Sequence, residues 1–373
     1  MLRLGLVGWR GMVGSVLLQR MQEENDFAGL DPVFFSTSNV GGPAPGLGGA
    51  GSVLKSAKNL DELARCEVLI SCQGGEYTTE IYDPLRKKGW KGYWIDAAST
   101  LRMSDEVVIV LDPVNANVIQ DGLAHGVRTF AGGNCTVSLM LMAVGVLFKA
   151  RLVEWMTTMT YQAASGAGAA KMLELVKQME CLTDPTRATP SENALQVDRM
   201  MIEAQRDSRL PTQETGAPLA GSLIPWIDRD MPGGQTREEW KGMAETNKIM
   251  GLEPSVAVDG ICVRVGTMRC HSQALCIKLT KDVPLRDIEQ MLANSNPWVR
   301  VIQNDKEPTL RCLTPTAVSG TLNVPIGRLH KLNIGSEFLG AFTVGDQLLW
   351  GAAEPLRRIL RILREYLGDA HTP

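Results

Sequence analysis

A chain of 373 residues is longer than one hydrophobic core usually organises, which points to two domains. An apolar fraction of 44%, a charged fraction of 21% and a net charge of −3, with Lys and Arg scattered, fit a globular enzyme and argue against a nucleic-acid footprint. The longest apolar stretch, residues 137–148, is too short for a bilayer span and is broken by Ser138 and Gly145; with no secretory leader in evidence, a cytoplasmic location is expected.

Residues 4–7 read as a buried strand, 12–21 carry helical apolar spacing, and 33–35 form a second short strand. A Gly/Pro-rich loop over 41–51 comes next, then strand patterns at 67–71, 93–96 and 107–110. Alternation of this kind predicts a parallel sheet covered by helices on both faces. After Phe130 the pattern changes. A helix is expected from Cys135 to Phe148, then longer strands at 153–162, 260–266 and 271–279, with helical patterns at 166–180, 193–206 and 236–250 between them. That is an α+β domain with mostly antiparallel strands. The polar segment 181–217 reads as partly irregular, a lid or partner-contact loop, and 346–367 as one long amphipathic helix. The eight cysteines are expected as free thiols, and the four histidines do not combine with them at zinc spacing, so no metal is expected.

Gly8-Trp9-Arg10-Gly11-Met12-Val13-Gly14 joins the first strand to the first helix. Glycines in such a turn let backbone approach a pyrophosphate, which then sits on the helix N-terminus. The spacing is G-x-x-G-x-x-G rather than G-x-G-x-x-G, so strand before and helix after carry the reading; a tight turn without ligand is the alternative. The second strand ends Phe34-Phe35-Ser36-Thr37-Ser38-Asn39, with no carboxylate for the ribose hydroxyls of NAD. Hydroxyls with Arg10 as counter-charge suit a 2′-phosphate and favour NADP, although local capping would use the same residues.

Gly132-Gly133-Asn134-Cys135-Thr136-Val137-Ser138 places one thiol where a glycine turn meets an apolar helix. The helix N-terminus is expected to lower its pKa, and the free N–H groups there to stabilise an oxyanion beside the sulfur. The other seven cysteines lie in or beside strands or lack this setting, and read as small hydrophobes. A proton partner is sought among the histidines. His271 shares a strand face with Gln273, Leu275, Ile277 and Leu279, a pattern equally suited to a core residue, whereas His125, His330 and His371 lie in a turn, a basic run and the tail. Arg264, inside a strand-like run, demands a partner. On pattern alone, Glu238 and Lys241 read as a surface helix pair and Arg102 as a solvated loop charge.

Taken together, 8–14, 132–138, 161–168 (Tyr161-Gln162-Ala163-Ala164-Ser165-Gly166-Ala167-Gly168), 238–241 and 264–273 closely resemble bacterial aspartate-semialdehyde dehydrogenases of the Gram-negative, homodimeric branch, over nearly the whole chain. The resemblance implies NADPH-dependent reductive dephosphorylation of L-aspartyl 4-phosphate. It implies Cys135 as nucleophile forming a thioester, His271 as acid/base for the hemithioacetal, which in reverse takes the hydroxyl proton, and Gln162 as orienter of the acyl group. It further implies Arg264 for the substrate carboxylate, Glu238 for its ammonium, and Arg102, Asn134 and Lys241 for phosphate. Gly8, Arg10, Gly11, Met12, Val13, Thr37, Ser38, Gln73, Ser99, Ser165, Gly168 and Gln347 would serve NADP. The implied fold is a Rossmann-type, mostly parallel α/β domain (1–133 plus 351–373) and an α+β catalytic and dimerisation domain (134–350). Two rivals remain. One is a reductase of the N-acetylglutamyl-phosphate type, whose acylated amine needs no Glu238. The other is a non-catalytic NADP(H)-sensing Rossmann protein, in which Cys135 would be unreactive.

Overall fold

The computed structural model of the protein describes residues 1–49, 51–188 and 193–369; His371 and the last positions of the expected first domain lie outside them. Seven strands, β1 (Leu2–Val7), β2 (Leu30–Ser36), β3 (Lys55–Ser56), β4 (Val68–Ser71), β5 (Tyr93–Asp96), β6 (Val107–Val110) and β7 (Thr129–Gly132), form one sheet in the order β3-β2-β1-β4-β5-β7-β6. Every pairing in it is parallel. β4 and β5 are buried along their whole length, as strands covered on both faces must be, and are apolar up to their last residues, Ser71 and Asp96. The order reverses between β1 and β4, so β1 leads into a crevice at the carboxyl ends of the strands, where such sheets take ligands.

The second sheet has eight strands: β8 (Val153–Gln162), β9 (Leu223–Ile224), β10 (Ala257–Asp259), β11 (Cys262–Val265), β12 (His271–Leu279), β13 (Val299–Val301), β14 (Val324–Lys331) and β15 (Phe338–Gly345). Antiparallel pairs β12–β8, β12–β15 and β14–β15 make its body, with parallel β10 and β11 against β8. The apolar helix Cys135–Lys149 is buried almost all round and shares the second core with Met156, Leu275, Ile277 and Leu339, so its first residue is pinned where the two sheets meet. The final helix, Glu354–Asp369, returns to the first sheet: Leu356, Ile359, Leu360 and Leu363 pack with Leu4, Leu6 and Phe34. Its Arg357 donates to Asp26 at 2.8 Å. Among the described residues no helix is long and apolar enough to cross a membrane.

Three expectations need correction. The segment 181–217 is more helical than its prolines suggest: helix Ala169–Ala188 runs through Pro185, and Ala194–Arg206 is capped by Asn193; residues 189–192 lie outside the described part. The buried side chains of Glu174 and Gln178 hold the chain at 214–220 in place. Glu174 accepts from the N–H groups of Glu214 and Thr215, and Gln178 accepts from those of Leu219 and Ala220. The closing helix does not start as a regular α-helix at residue 346 either. Asp346 accepts from the N–H of Leu348, and a wide π-turn, Leu349–Ala353, precedes the α-helix. Strands β13 to β15 are absent from the sequence reading; β13 is only three residues long, and two short helices, Lys306–Cys312 and Pro315–Val318, separate it from β14.

Candidate active site

Asn134 caps the Cys135–Lys149 helix: its Oδ1 accepts from the N–H groups of Thr136 and Val137 at 3.0 and 3.1 Å. The cap fixes Cys135 as the first helical residue. It also occupies two N–H groups expected to serve an oxyanion, so those donors are not available beside the sulfur. The π-turn passes directly under Cys135. A Cβ on Gly351 would stand 2.6 Å from the Cys135 Cβ, so only glycine fits there.

Cys135 is half-buried on the wall of a cavity of about 420 Å3. The wall draws on both sheets: Val13, Ala97, Ser99 and Arg102 from the first, Asn134, Gln162, Ser165, Gly166, Asp228, Glu238, Lys241, Arg264 and Gln347 from the second and its loops. Of the anticipated catalytic and substrate residues, all line this cavity except His271, which lies just behind the wall. The supposed surface pair Glu238 and Lys241, and the supposed loop charge Arg102, are all buried. Their solvation is replaced by specific partners. Lys241 Nζ donates to Glu238 Oε2 and to Asp228 Oδ2, both at 2.9 Å. Glu238 Oε1 accepts from Asn134 Nδ2 at 2.9 Å and from Gln162 Nε2 at 3.3 Å. Burial by itself raises the Glu238 carboxyl pKa; the Lys241 charge, together with donors from Asn134, Lys241 and Gln162, outweighs it and holds the group below its ordinary value. Arg264 finds the partner it requires in the Ala163 carbonyl, 2.8 Å away.

The sulfur does not behave as a helix N-terminus alone predicts. Burial pushes the Cys135 thiol up to about 12, and Glu238 adds to the rise; Arg264, Arg102 and Lys241 oppose it. Loss of water outweighs the three cations around the sulfur. The thiol therefore rests protonated.

His271 is fully buried at the start of β12. The expected face holds: His271, Gln273, Leu275, Ile277 and Leu279 all point inward, and Gln273 donates to the Thr136 carbonyl at 2.9 Å. The Ala163 N–H donates to His271 Nδ1 at 3.0 Å, which assigns the ring proton to Nε2. Among the described residues Nε2 has no hydrogen-bond partner. It faces Gly166, where a Cβ would stand 2.7 Å from the ring, and Gly166 lines the cavity. Burial, with Arg264 adding and Glu238 opposing, depresses the imidazole pKa to about 3, so the ring is neutral at physiological pH. The preceding residue, Cys270, has φ +76, and its N–H donates to Gln347 Oε1 at 2.8 Å. Gln347 in turn donates to Ser165 Oγ.

A second cavity, of about 340 Å3, is lined by Gly8, Trp9, Arg10, Gly11, Thr37, Ser38 and Gln73 with the end of β2. Gly8 has φ +73 and touches the backbone of Cys72 and Gln73 so closely that a Cβ would stand 2.4 Å from it. Arg10 Nη2 donates to Ser36 Oγ at 3.0 Å and to Ser38 Oγ at 3.2 Å, so the serines hold a cation at the end of β2. The anticipated cofactor residues divide accordingly: six line this cavity, and Val13, Ser99, Ser165 and Gln347 line the first. Met12 opens the first helix beside them, and Gly168 ends the turn that carries Ser165.

Sequence reasoning missed Trp9, Asp228, Glu245, the Ala163 N–H and Gly351. Only Glu245 left a trace, since it follows Glu238 by seven residues and Lys241 by four on one helix face. The others act through contacts that chain order does not reveal.

Two family models match the chain: the NAD binding domain of semialdehyde dehydrogenase over residues 3–122, and the semialdehyde dehydrogenase dimerisation domain over residues 145–350. An aspartate semialdehyde dehydrogenase from Francisella tularensis is similar along 98% of this chain and 100% of its own, at 49% identity and a TM-score of 0.94. More distant structures share the fold. One is aspartate semialdehyde dehydrogenase II from Vibrio cholerae complexed with ASA, at 23% identity, TM-score 0.80 and 98% coverage of both chains. Another is the Candida albicans enzyme with NADP, at 16% identity and TM-score 0.65, over 98% of this chain and 99% of that one. With both family models matched and a near-half-identical relative aligned end to end, this chain belongs to the aspartate-semialdehyde dehydrogenase family.

Proposed function

We propose that this protein reduces L-aspartyl 4-phosphate to L-aspartate 4-semialdehyde and phosphate, using NADPH and a thioester on Cys135. The observation that carries the reading is the single cavity in which Cys135 meets a guanidinium, a carboxylate and a phosphate-competent set, Arg264, Glu238 and Arg102 with Lys241. These match the three charged groups of the substrate: carboxylate on Arg264, ammonium on Glu238, phosphoryl on Arg102, Lys241 and Asn134.

The Cys135 sulfur attacks the acyl carbon while Gln162 orients the acyl group. The C–O bond to phosphate breaks, and the thiol proton leaves with the phosphate. A reduced nicotinamide, when bound, would supply the hydride that the thioester carbon takes up. The Nε2–H of His271, directed past Gly166, gives a hydrogen bond to the oxyanion that results and keeps its proton. Collapse expels the aldehyde and leaves Cys135 as thiolate, which takes a proton from water. With Nδ1 occupied by the Ala163 N–H, His271 enters as donor rather than as base. Gly8, Arg10, Gly11, Thr37, Ser38 and Gln73 would hold the adenosine end, and Val13, Ser99, Ser165 and Gln347 the nicotinamide end. The absence of an acid at the end of β2, together with Arg10 held on two serines, supports NADP over NAD.

We divide the chain into a cofactor domain, 1–133 with 351–373, and a catalytic and dimerisation domain, 134–350, and place the protein in the cytoplasm as a homodimer. Support for the dimer comes from the second sheet, where Tyr161 lies beside Phe342 and Trp155 beside Phe338, Tyr161 being exposed and the other three only partly buried. A steady-state assay tests the whole reading: aspartate semialdehyde, phosphate and NADP should yield NADPH at a rate that depends on all three. A phosphate-independent rate, or equal kcat/KM with NAD, would contradict it.

A further inference from the structure

Helix Arg237–Met250 presents three charged side chains toward the start of the Cys135 helix, at positions 238, 241 and 245. The mechanism uses the first two. The third, Glu245, is 2% exposed, and a carboxylate so buried must be fully partnered. Both of its oxygens are engaged. Oε2 accepts from the Asn134 N–H at 2.6 Å, and Oε1 accepts from Arg102 Nη1 at 3.1 Å. Asn134 is the cap immediately before the nucleophile. Arg102 comes from the other sheet, where its Nη2 donates to the Ala97 carbonyl at 3.1 Å and its Nε is buried without a partner among the described residues. Both of Glu245's partners line the catalytic cavity, and Glu245 itself does not.

We infer that Glu245 is a positioning residue for the phosphoryl subsite: one oxygen fixes the main chain at Asn134, the other sets the plane of the Arg102 guanidinium. The physical logic is that of an orienting carboxylate behind a working cation. A guanidinium recognises phosphate in the plane of its fork, so rotation about its own side chain costs recognition even when its charge is retained. Glu245 blocks that rotation and at the same time ties the plane to the peptide that carries Cys135. Phosphate and sulfur are thereby held in register across the boundary between the two sheets. This inference rests on the proposed reduction of aspartyl phosphate.

The test uses the full-length enzyme in the oxidative direction, with inorganic phosphate, aspartate semialdehyde and NADP varied in turn. Glu245→Gln should raise the KM for phosphate about tenfold or more, while the KM values for NADP and aspartate semialdehyde change less than about twofold. In an Arg102→Ala background the same substitution should add less than about twofold to the phosphate KM, since the group it orients is gone. Should Glu245→Gln fail to fold, Glu245→Asp keeps the charge but is too short to reach both partners, and should show the same selective phosphate defect. Equal losses in all three constants, or full additivity with Arg102→Ala, would overturn the proposal and leave Glu245 a structural strut. A wild-type enzyme indifferent to phosphate would instead remove the functional reading before any variant is measured.

Discussion

The two cavities are built on different plans. The one at the end of β2 uses three short stretches, around residues 8–11, 35–38 and 72–73, and its polar groups are largely exposed: Arg10, Thr37 and Ser38 face water. The one at Cys135 draws on segments from Val13 to Ala352, and Arg102, Asn134, Gln162, Glu238, Lys241 and Arg264 are all buried. The first offers a shape and a few donors to a large ligand that brings its own chemistry. The second keeps buried charges of both signs, each with a hydrogen-bond partner: Arg102 with Glu245, Lys241 with Glu238 and Asp228, and Arg264 with the Ala163 carbonyl. The cost of an error therefore differs: an exposed donor contributes modestly, whereas loss of one member of a buried pair leaves its partner stranded.

That contrast can be broken most sharply at Gly166. Gly166→Ala sets a methyl 2.7 Å from the His271 ring, between it and the cavity. We expect kcat to fall about 100-fold with NADPH affinity unchanged by fluorescence titration. An unaffected kcat would mean that Nε2 does not reach the reacting oxygen. At Glu238, replacement by Gln keeps the shape and removes the charge, and should raise the KM for aspartate semialdehyde about 30-fold while that for NADP stays within about twofold. A KM left as it was would favour a substrate with an acylated amine.

The buried imidazole gives a pH signature. The pKa of His271 is pushed from 6.5 down to about 3, so between those values the unfolded chain binds a proton that the folded chain refuses. Its contribution to stability is intact above pH 6.5 and declines as the pH falls. Between about pH 7 and pH 5, urea unfolding should therefore show the wild type losing about 2 kcal/mol more than His271→Asn. Parallel pH profiles for the two proteins would mean the ring is hydrated. The smallest effect belongs to the exposed cavity. Arg10→Ala should reduce the preference for NADPH over NADH about tenfold, an effect that shrinks with salt. No change would dissociate Arg10 from the 2′-phosphate.

Legibility followed the same division. The candidate cofactor end has local determinants that the sequence displays: a glycine turn between strand and helix, and a strand end without an acid. The proposed nucleophile rests on Gly133, Asn134 and Cys135 standing before an apolar helix, together with the resemblance. The resemblance, rather than any spacing, carried Glu238, Lys241 and Arg102, since pattern alone made them surface charges and only the tertiary contacts bury them. The pKa of Cys135 was misjudged for the same reason: the helix end is visible in sequence, the loss of solvent around it is not. Glu245 and Gly351 depend on where the second sheet and the closing helix arrive, and chain order does not say.

The central claim, a covalent acyl group on Cys135, is tested most directly by trapping it. Enzyme mixed with aspartate semialdehyde and NADP but no phosphate, then acid-quenched and digested, should carry an aspartyl adduct on the peptide containing Cys135, formed in step with one burst of NADPH. A burst with no adduct there, or an adduct on another cysteine, would contradict the account.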